Sequence, residues 1–177
     1  VRQCEMSTKV ASPKRVLKNT YACGERYTLR LTKEAVVIAD KEKNLTIEIT
    51  LQRLAVLLSC MPDIDQAVTQ LVATQFVKYK QHIGGAWFVS VTSGYPCVDF
   101  RKFYMPVFGF EEKPTKSGVA IRLSEWSAFG AALKRMTEDN PHLLQVQTCG
   151  IHHNQEEAMQ CAECYPFPSI TFGSTTT

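Results

Sequence analysis

The sequence predicts an α+β fold in which a curved antiparallel β-sheet followed by one helix occurs twice. Three observations carry this. Apolar residues alternate with polar ones in two separate groups of short runs. Each group ends in a segment of helical period. Turn residues punctuate the runs.

In chain order, residues 1–20 carry Arg2, Lys9, Lys14, Arg15 and Lys18 against Glu5 alone, with Pro13 and no hydrophobic period. They read as a flexible basic arm. Residues 21–77 read as a first, degenerate sheet–helix unit. Tyr27, Leu29 and Leu31 alternate with Thr28 and Arg30; Ala35 to Ala39 is a β-branched run; Leu45, Ile47 and Ile49 alternate with Thr46 and Glu48. The period then becomes helical at Leu51, Leu54, Leu57 and Leu58. Pro62 is expected to end that helix, and Asp63 to cap another bearing Ile64, Ala67, Val68, Leu71 and Val72.

Residues 78–145 repeat the plan. Trp87, Val89 and Val91 alternate with Phe88, Ser90 and Thr92, and Ser93 to Pro96 is a turn. Cys97 to Tyr104 forms a second strand, Phe108 to Ser117 a charged loop, and Val119, Ile121 and Leu123 a third alternation opened by Gly118. Ser124 is placed to cap a helix whose apolar stripe is Trp126, Phe129, Leu133 and Met136, and Glu138 to Pro141 mark its end. Trp87 and Trp126 are assigned to the core. Such a unit buries only one sheet face, so the two copies are expected to cover each other, or a second chain to do so. Residues 146–177 form an acidic Cys/His tail.

The chain has 177 residues, 45% of them hydrophobic and 21% charged, which is globular composition. The net charge of +3 is less informative than its distribution. Residues 78–135 hold nine Lys/Arg against four acids, whereas residues 136–177 have five acids and no Lys or Arg. A basic head and centre with an acidic tail suits a polyanionic partner. Seven scattered cysteines are no secreted disulfide framework and point to a reducing compartment. The longest apolar run, Leu54 to Met61, is far too short to span a membrane, so no membrane partner is expected. A chain that begins at Val1 is what a fragment would show, with any address signal outside it.

The stretch Ile83 to Met136 resembles the single-stranded-DNA-binding domain of the positive-cofactor-four family of transcriptional coactivators. The resemblance rests on four pieces in order. They are Ile83-Gly84 with Trp87 to Val91; Val98 to Met105; Glu112 to Gly118; and Ile121 to Trp126. It implies a four-stranded curved sheet and a helix, working in pairs that present sheets to unpaired strands. Whirly proteins look similar and carry two such units in one chain. The family's functional positions fall here on Arg101, Tyr104 and Lys116. This chain departs from the family at Thr92 to Pro96, where basic residues are missing, and at Tyr104, where the family has Trp. The resemblance further implies a coactivator-like role in the nucleus or another reducing compartment. Expected partners are single-stranded DNA or RNA, transcription-machinery proteins and a homo-oligomer.

A binder of unpaired strands needs cations along the phosphates and aromatic faces for the bases. The candidates are Arg101, Lys102, Lys113, Lys116 and Arg122, with Tyr95 and Tyr104 for stacking. In the tail, Cys149 and His152, then Cys161 and Cys164, each have a two-residue gap, the spacing of two knuckles on one zinc ion. No other cofactor is expected. Catalysis is not: there is no phosphate-cradling loop and no nucleophile elbow. His82, His142, His152 and His153 are placed outside the strand core, and Asp63 and Asp65 read as acids at a helix start. Two other readings remain open. One is a dimerisation module of the same fold without nucleic-acid binding; the other is an adaptor working through the zinc knuckle.

Overall fold

The computed structural model describes residues 19–167. The basic arm lies outside them except for its last two residues, and Thr20 already belongs to the first strand. Strands β1 (Thr20–Cys23), β2 (Tyr27–Leu31), β3 (Ala35–Asp40) and β4 (Leu45–Thr50) form one antiparallel meander, followed by helix α1 (Leu51–Val72). Strands β5 (Lys78–Gly84), β6 (Trp87–Thr92), β7 (Tyr95–Tyr104) and β8 (Lys113–Arg122) form a second, followed by helix α2 (Leu123–Asp139). The expected sheet–helix plan is therefore present twice.

Alternation sets the faces. Tyr27, Leu29, Ile38, Ile47 and Ile49 point inward from the first sheet; Val89, Val91, Val98, Phe100, Val119 and Ile121 do so from the second. All belong to one hydrophobic core. The register of the second sheet shifts at His82/Gly84, Val91/Thr92 and Arg101/Phe103.

The helices are exchanged between the sheets. α1 lies chiefly on β5 and β6 of the second sheet, and α2 chiefly on β1 and β2 of the first. Each unit thus covers the other's apolar face. The stripe Trp126, Phe129, Leu133 and Met136 is at most 4% exposed. Burying each such side chain is worth roughly 1.5–3 kcal/mol, enough to explain why the halves do not stand apart. Phe129 packs 5.7 Å from Phe100 and 5.4 Å from Trp126, ring centre to ring centre. The indole Nε1–H of Trp126 donates to Asp65 Oδ1 across the helix pair at 2.7 Å. Asp65 is therefore a cross-helix acceptor rather than a helix-start acid.

Several local expectations are corrected. Pro62 does not end a helix, and Asp63 caps none: α1 runs unbroken through the proline. Its buried stripe of Leu54, Leu57, Cys60, Ile64 and Ala67 continues on both sides of Pro62, which is itself exposed. Packing of that stripe outweighs the roughly 3 kcal/mol that an interior proline costs. Ser124 does not cap α2; the cap position is Arg122, with no side-chain bond. β7 begins at Tyr95 and β8 at Lys113, so the expected turn and charged loop are shorter than read. His82 lies within β5 but outside the hydrophobic core. β1 and β5 escaped the sequence reading: one has four residues, and the other is a cationic edge strand.

A buried ion pair closes the first sheet and reaches the second. Arg26 is 5% exposed and Asp40 2%. Arg26 Nε donates to Asp40 Oδ1 at 2.9 Å and Nη1 to Glu42 Oε2 at 2.6 Å. Arg122 of β8 donates to the same Glu42 oxygen at 2.9 Å. The hydroxyl of Tyr27 donates to the Ala120 carbonyl at 2.7 Å. Burial pushes the Asp40 carboxyl up, but the Arg26 guanidinium and the amides of Lys43 and Glu42 outweigh it and hold it below the usual range.

Candidate nucleic-acid interface and metal centre

The interface candidates sit on the β7–β8 hairpin. Tyr104 and Lys113 face each other across its mouth, and both are exposed. Lys102 and Lys116 are exposed nearby, and none of the three lysines enters an ion pair with a described residue. The connecting loop turns tightly at Pro106 to Gly109, where the Gly109 amide donates to the Pro106 carbonyl at 3.0 Å. A side chain at Gly109 would meet the Pro106 ring at 2.9 Å. That turn pushes Val107 and Phe108 outward, and Phe110 follows. Phe108 and Phe110 are each 96% exposed. The sequence reading missed both. Their signal was two phenylalanines in a segment with neither strand nor helix period, flanked by proline.

The other predicted residues stand apart. Tyr95, 55% exposed, begins β7, and Arg122 pairs with Cys97 at the same end. That end is about 30 Å from Tyr104 along an extended strand. Arg122 is engaged by Glu42. Arg101, expected to offer a free charge, is instead half-buried and grips Asp99 with both Nε (2.8 Å) and Nη2 (3.0 Å). Its Nη1 donates to the Thr115 carbonyl at 2.9 Å. Residues two apart on a strand share a face, which puts Asp99 within reach.

On the outer face of the second sheet, away from the core, an aromatic cluster forms. Phe88 packs 5.1 Å from Phe103 and 5.1 Å from His82. Lys80 Nζ lies 3.8 Å from the Phe103 ring centre and 4.6 Å from that of Phe88, and also pairs with Glu112 at 2.7 Å. From the tail, Phe167 stacks on Phe88, with ring centres 6.4 Å apart and planes 4° from parallel.

The tail brings Cys149, His153, Cys161 and Cys164 together, their ligand atoms all within 4.8 Å of one another. This cluster could hold a metal ion. Cys149 Sγ lies 3.1 Å from His153 Nε2 and 3.5 Å from Cys161 Sγ. The histidine is His153 rather than the expected His152. Cys149–His152 is a short 3-10 turn that leaves His152 exposed, and the extended backbone of His153 then swings its ring inward. Its Nδ1 lies 4.0 Å from Glu157 Oε2, a carboxylate able to orient the ring. Helix α3 (Gln155–Gln160), started by an Asn154–Glu157 capping box, spaces His153 from Cys161. The amides of Cys164 and Glu163 point at the Cys161 sulfur and lower its pKa to about 7. Hydrogen bonding to Cys161 pushes the Cys149 thiol up to about 12.

The tail is docked through Glu163, between two of these cysteines. The Gly85 amide donates to its carbonyl at 2.7 Å, and Arg53 of α1 grips its carboxylate with Nε and Nη2, both at 2.6 Å.

Compared with protein-family models, curated proteins and solved structures, the chain matches none. The site's chemistry therefore has to be read from its own residues. The first sheet offers no equivalent interface. Its outer face carries Thr28, Arg30, Val37, Ala39, Thr46 and Glu48, with no aromatic ring.

Proposed function

We propose that this chain is a non-enzymatic single-stranded nucleic-acid-binding protein, DNA being the preferred ligand, and that the second unit carries the binding. The single observation behind this is the tip of the β7–β8 hairpin. Tyr104, Phe108 and Phe110 stand in solvent on the same hairpin as Lys102, Lys113 and Lys116, none of which forms an ion pair with a described residue. Exposed phenylalanines cost solvation, and a monomer rarely displays them without use. Rings that can stack on any base, flanked by cations for phosphate, are what an unpaired strand requires. The positive-cofactor-four and whirly resemblance adds to this proposal a role in transcription in a reducing compartment such as the nucleus. The metal suited to three thiols and an imidazole is zinc.

A second reading, a protein-interaction module that no longer binds strands, is favoured by Arg101. The family-like cation on β7 spends its charge on Asp99. Fluorescence anisotropy with labelled single-stranded and duplex oligonucleotides separates the two. The binding reading expects single strands to be preferred. It also expects Phe108→Ala and Lys113→Ala to weaken them while far-ultraviolet circular dichroism stays unchanged. Absence of binding at low salt supports the interaction module.

A further inference from the structure

We propose that Cys149, His153, Cys161 and Cys164 form a metal-dependent latch, which holds the tail over the aromatic outer face of the second sheet and so limits strand binding there. The inference rests on the strand-binding reading of that unit.

Four observations converge on it. First, the segment that supplies the ligands has little else to hold it. The 3-10 turn Cys149–His152 and helix α3 contain no buried residue, and a helix of six residues is too short to persist alone. A metal is the usual substitute for a missing core. The ligand spacing suits it: sulfurs on one tetrahedral zinc lie about 3.8 Å apart, given Zn–S bonds of about 2.3 Å. Secondly, the knuckle carries its own dock. Glu163 lies between Cys161 and Cys164, and its carbonyl and carboxylate are bound by Gly85 and Arg53. Gly84 and Gly85 have φ of +128° and +54°, and a side chain at Gly85 would come within 3.0 Å of the Glu163 carboxylate. The β5–β6 turn is shaped to receive that residue.

Thirdly, Phe167 follows Cys164 by three residues and lies parallel to Phe88 in an offset stack, ring centres 6.4 Å apart. With Lys80, His82 and Phe103 already around Phe88, Phe167 narrows the space left for a base to stack on it. Fourthly, the tail has the charge of the ligand it would displace. Between residues 146 and 167 it carries Glu156, Glu157 and Glu163 and no Lys or Arg.

The test uses the full chain in three forms: zinc-loaded, zinc-stripped with chelator, and zinc-loaded Phe167→Ala. Zinc content is measured by elemental analysis, exchange of the Gly85 amide by NMR, and binding by anisotropy with a labelled oligothymidylate. The latch predicts about one zinc per chain, with the Gly85 amide protected when zinc is bound and exchanging at least about tenfold faster when it is removed. It also predicts that zinc-loaded Phe167→Ala binds the oligonucleotide about fivefold tighter than zinc-loaded parent, which is about 1 kcal/mol, one weak stack. Equal Gly85 protection with and without zinc overturns the latch, whatever the oligonucleotide does. Equal, measurable affinity of parent and Phe167→Ala also overturns it but leaves the strand-binding reading intact. If no form binds although Gly85 is released on chelation, the strand-binding reading has failed and the inhibitory role falls with it.

Discussion

Replacing Asp40 by Asn isolates one charge in the joint between the two sheets. The amide keeps the size of the carboxylate and can still accept from the amides of Glu42 and Lys43, which lie 3.1 Å from Oδ1. What is lost is the negative partner of Arg26, a guanidinium only 5% exposed. Breaking a buried pair by removing one partner costs about 3–5 kcal/mol, because the remaining charge is stranded. Glu42 still touches Arg26 at 2.6 Å from a half-exposed position, so the lower end, about 3 kcal/mol, applies. For a chain of this size that is a fall in Tm of roughly 6–12 °C. Urea denaturation at pH 7 measures it. The pH dependence has a definite sign. The folded pKa of Asp40 lies below its unfolded value of 3.8, so its contribution is complete above that value and is lost as pH falls through the folded pKa. The parent should therefore lose stability between about pH 5 and pH 2 more steeply than Asp40→Asn does. A loss under about 1 kcal/mol at pH 7, or parallel acid profiles, refutes the claim that this pair holds the joint.

Phe108→Ala with Phe110→Ala should leave stability within about 0.5 kcal/mol, since neither ring packs on anything, yet weaken single-strand binding by about 1–3 kcal/mol per lost stack; anisotropy and urea melts check the pair of effects. Arg101→Ala should behave oppositely, costing about 1–3 kcal/mol of stability because Asp99 loses its partner, with a smaller effect on binding than either phenylalanine. Pro62→Ala should raise stability by about 3 kcal/mol at most, as an exposed helix-interior proline is exchanged for the best helix former; thermal melts decide it. Residues 78–145 expressed alone lose α1 and so expose their sheet, and should associate or aggregate; light scattering showing a well-behaved monomer would contradict the exchange of helices.

The repeat of sheet and helix was legible because its signal is local. Leu45, Ile47 and Ile49 alternate, and Trp126, Phe129 and Leu133 recur at helical spacing, whatever they pack against. The stripe on α2 even required a partner, and the structure supplies it chiefly from the strands of the first sheet. The unbroken passage through Pro62 was not legible, because it depends on a buried stripe that only the exchanged sheet creates. The same holds for Asp65, whose role is set by an indole sixty-one residues away. On the hairpin, Lys102 and Tyr104 were readable as strand residues, whereas Lys113 and Lys116 read as loop residues because Pro114 and the run of charges hide the start of β8. Arg101 was misread because its commitment to Asp99 depends on rotamers, and sequence does not fix those. The tail cysteines were found from spacing, but the choice of His153 over His152 turned on a single backbone step.

The proposed function requires that the second unit bind unpaired strands through cations and stacked rings. Anisotropy with a labelled oligothymidylate, repeated across a salt series, measures this directly. With Lys102, Lys113 and Lys116 each neutralising a phosphate, log affinity should fall against log salt with a slope of about −2, at roughly −0.7 per contact, and duplex of equal length should bind more weakly. Lys113→Ala together with Lys116→Ala should make the slope shallower by about 1.4. A flat salt dependence, or duplex bound as tightly as single strand, would show that the second unit does not bind unpaired strands in this way.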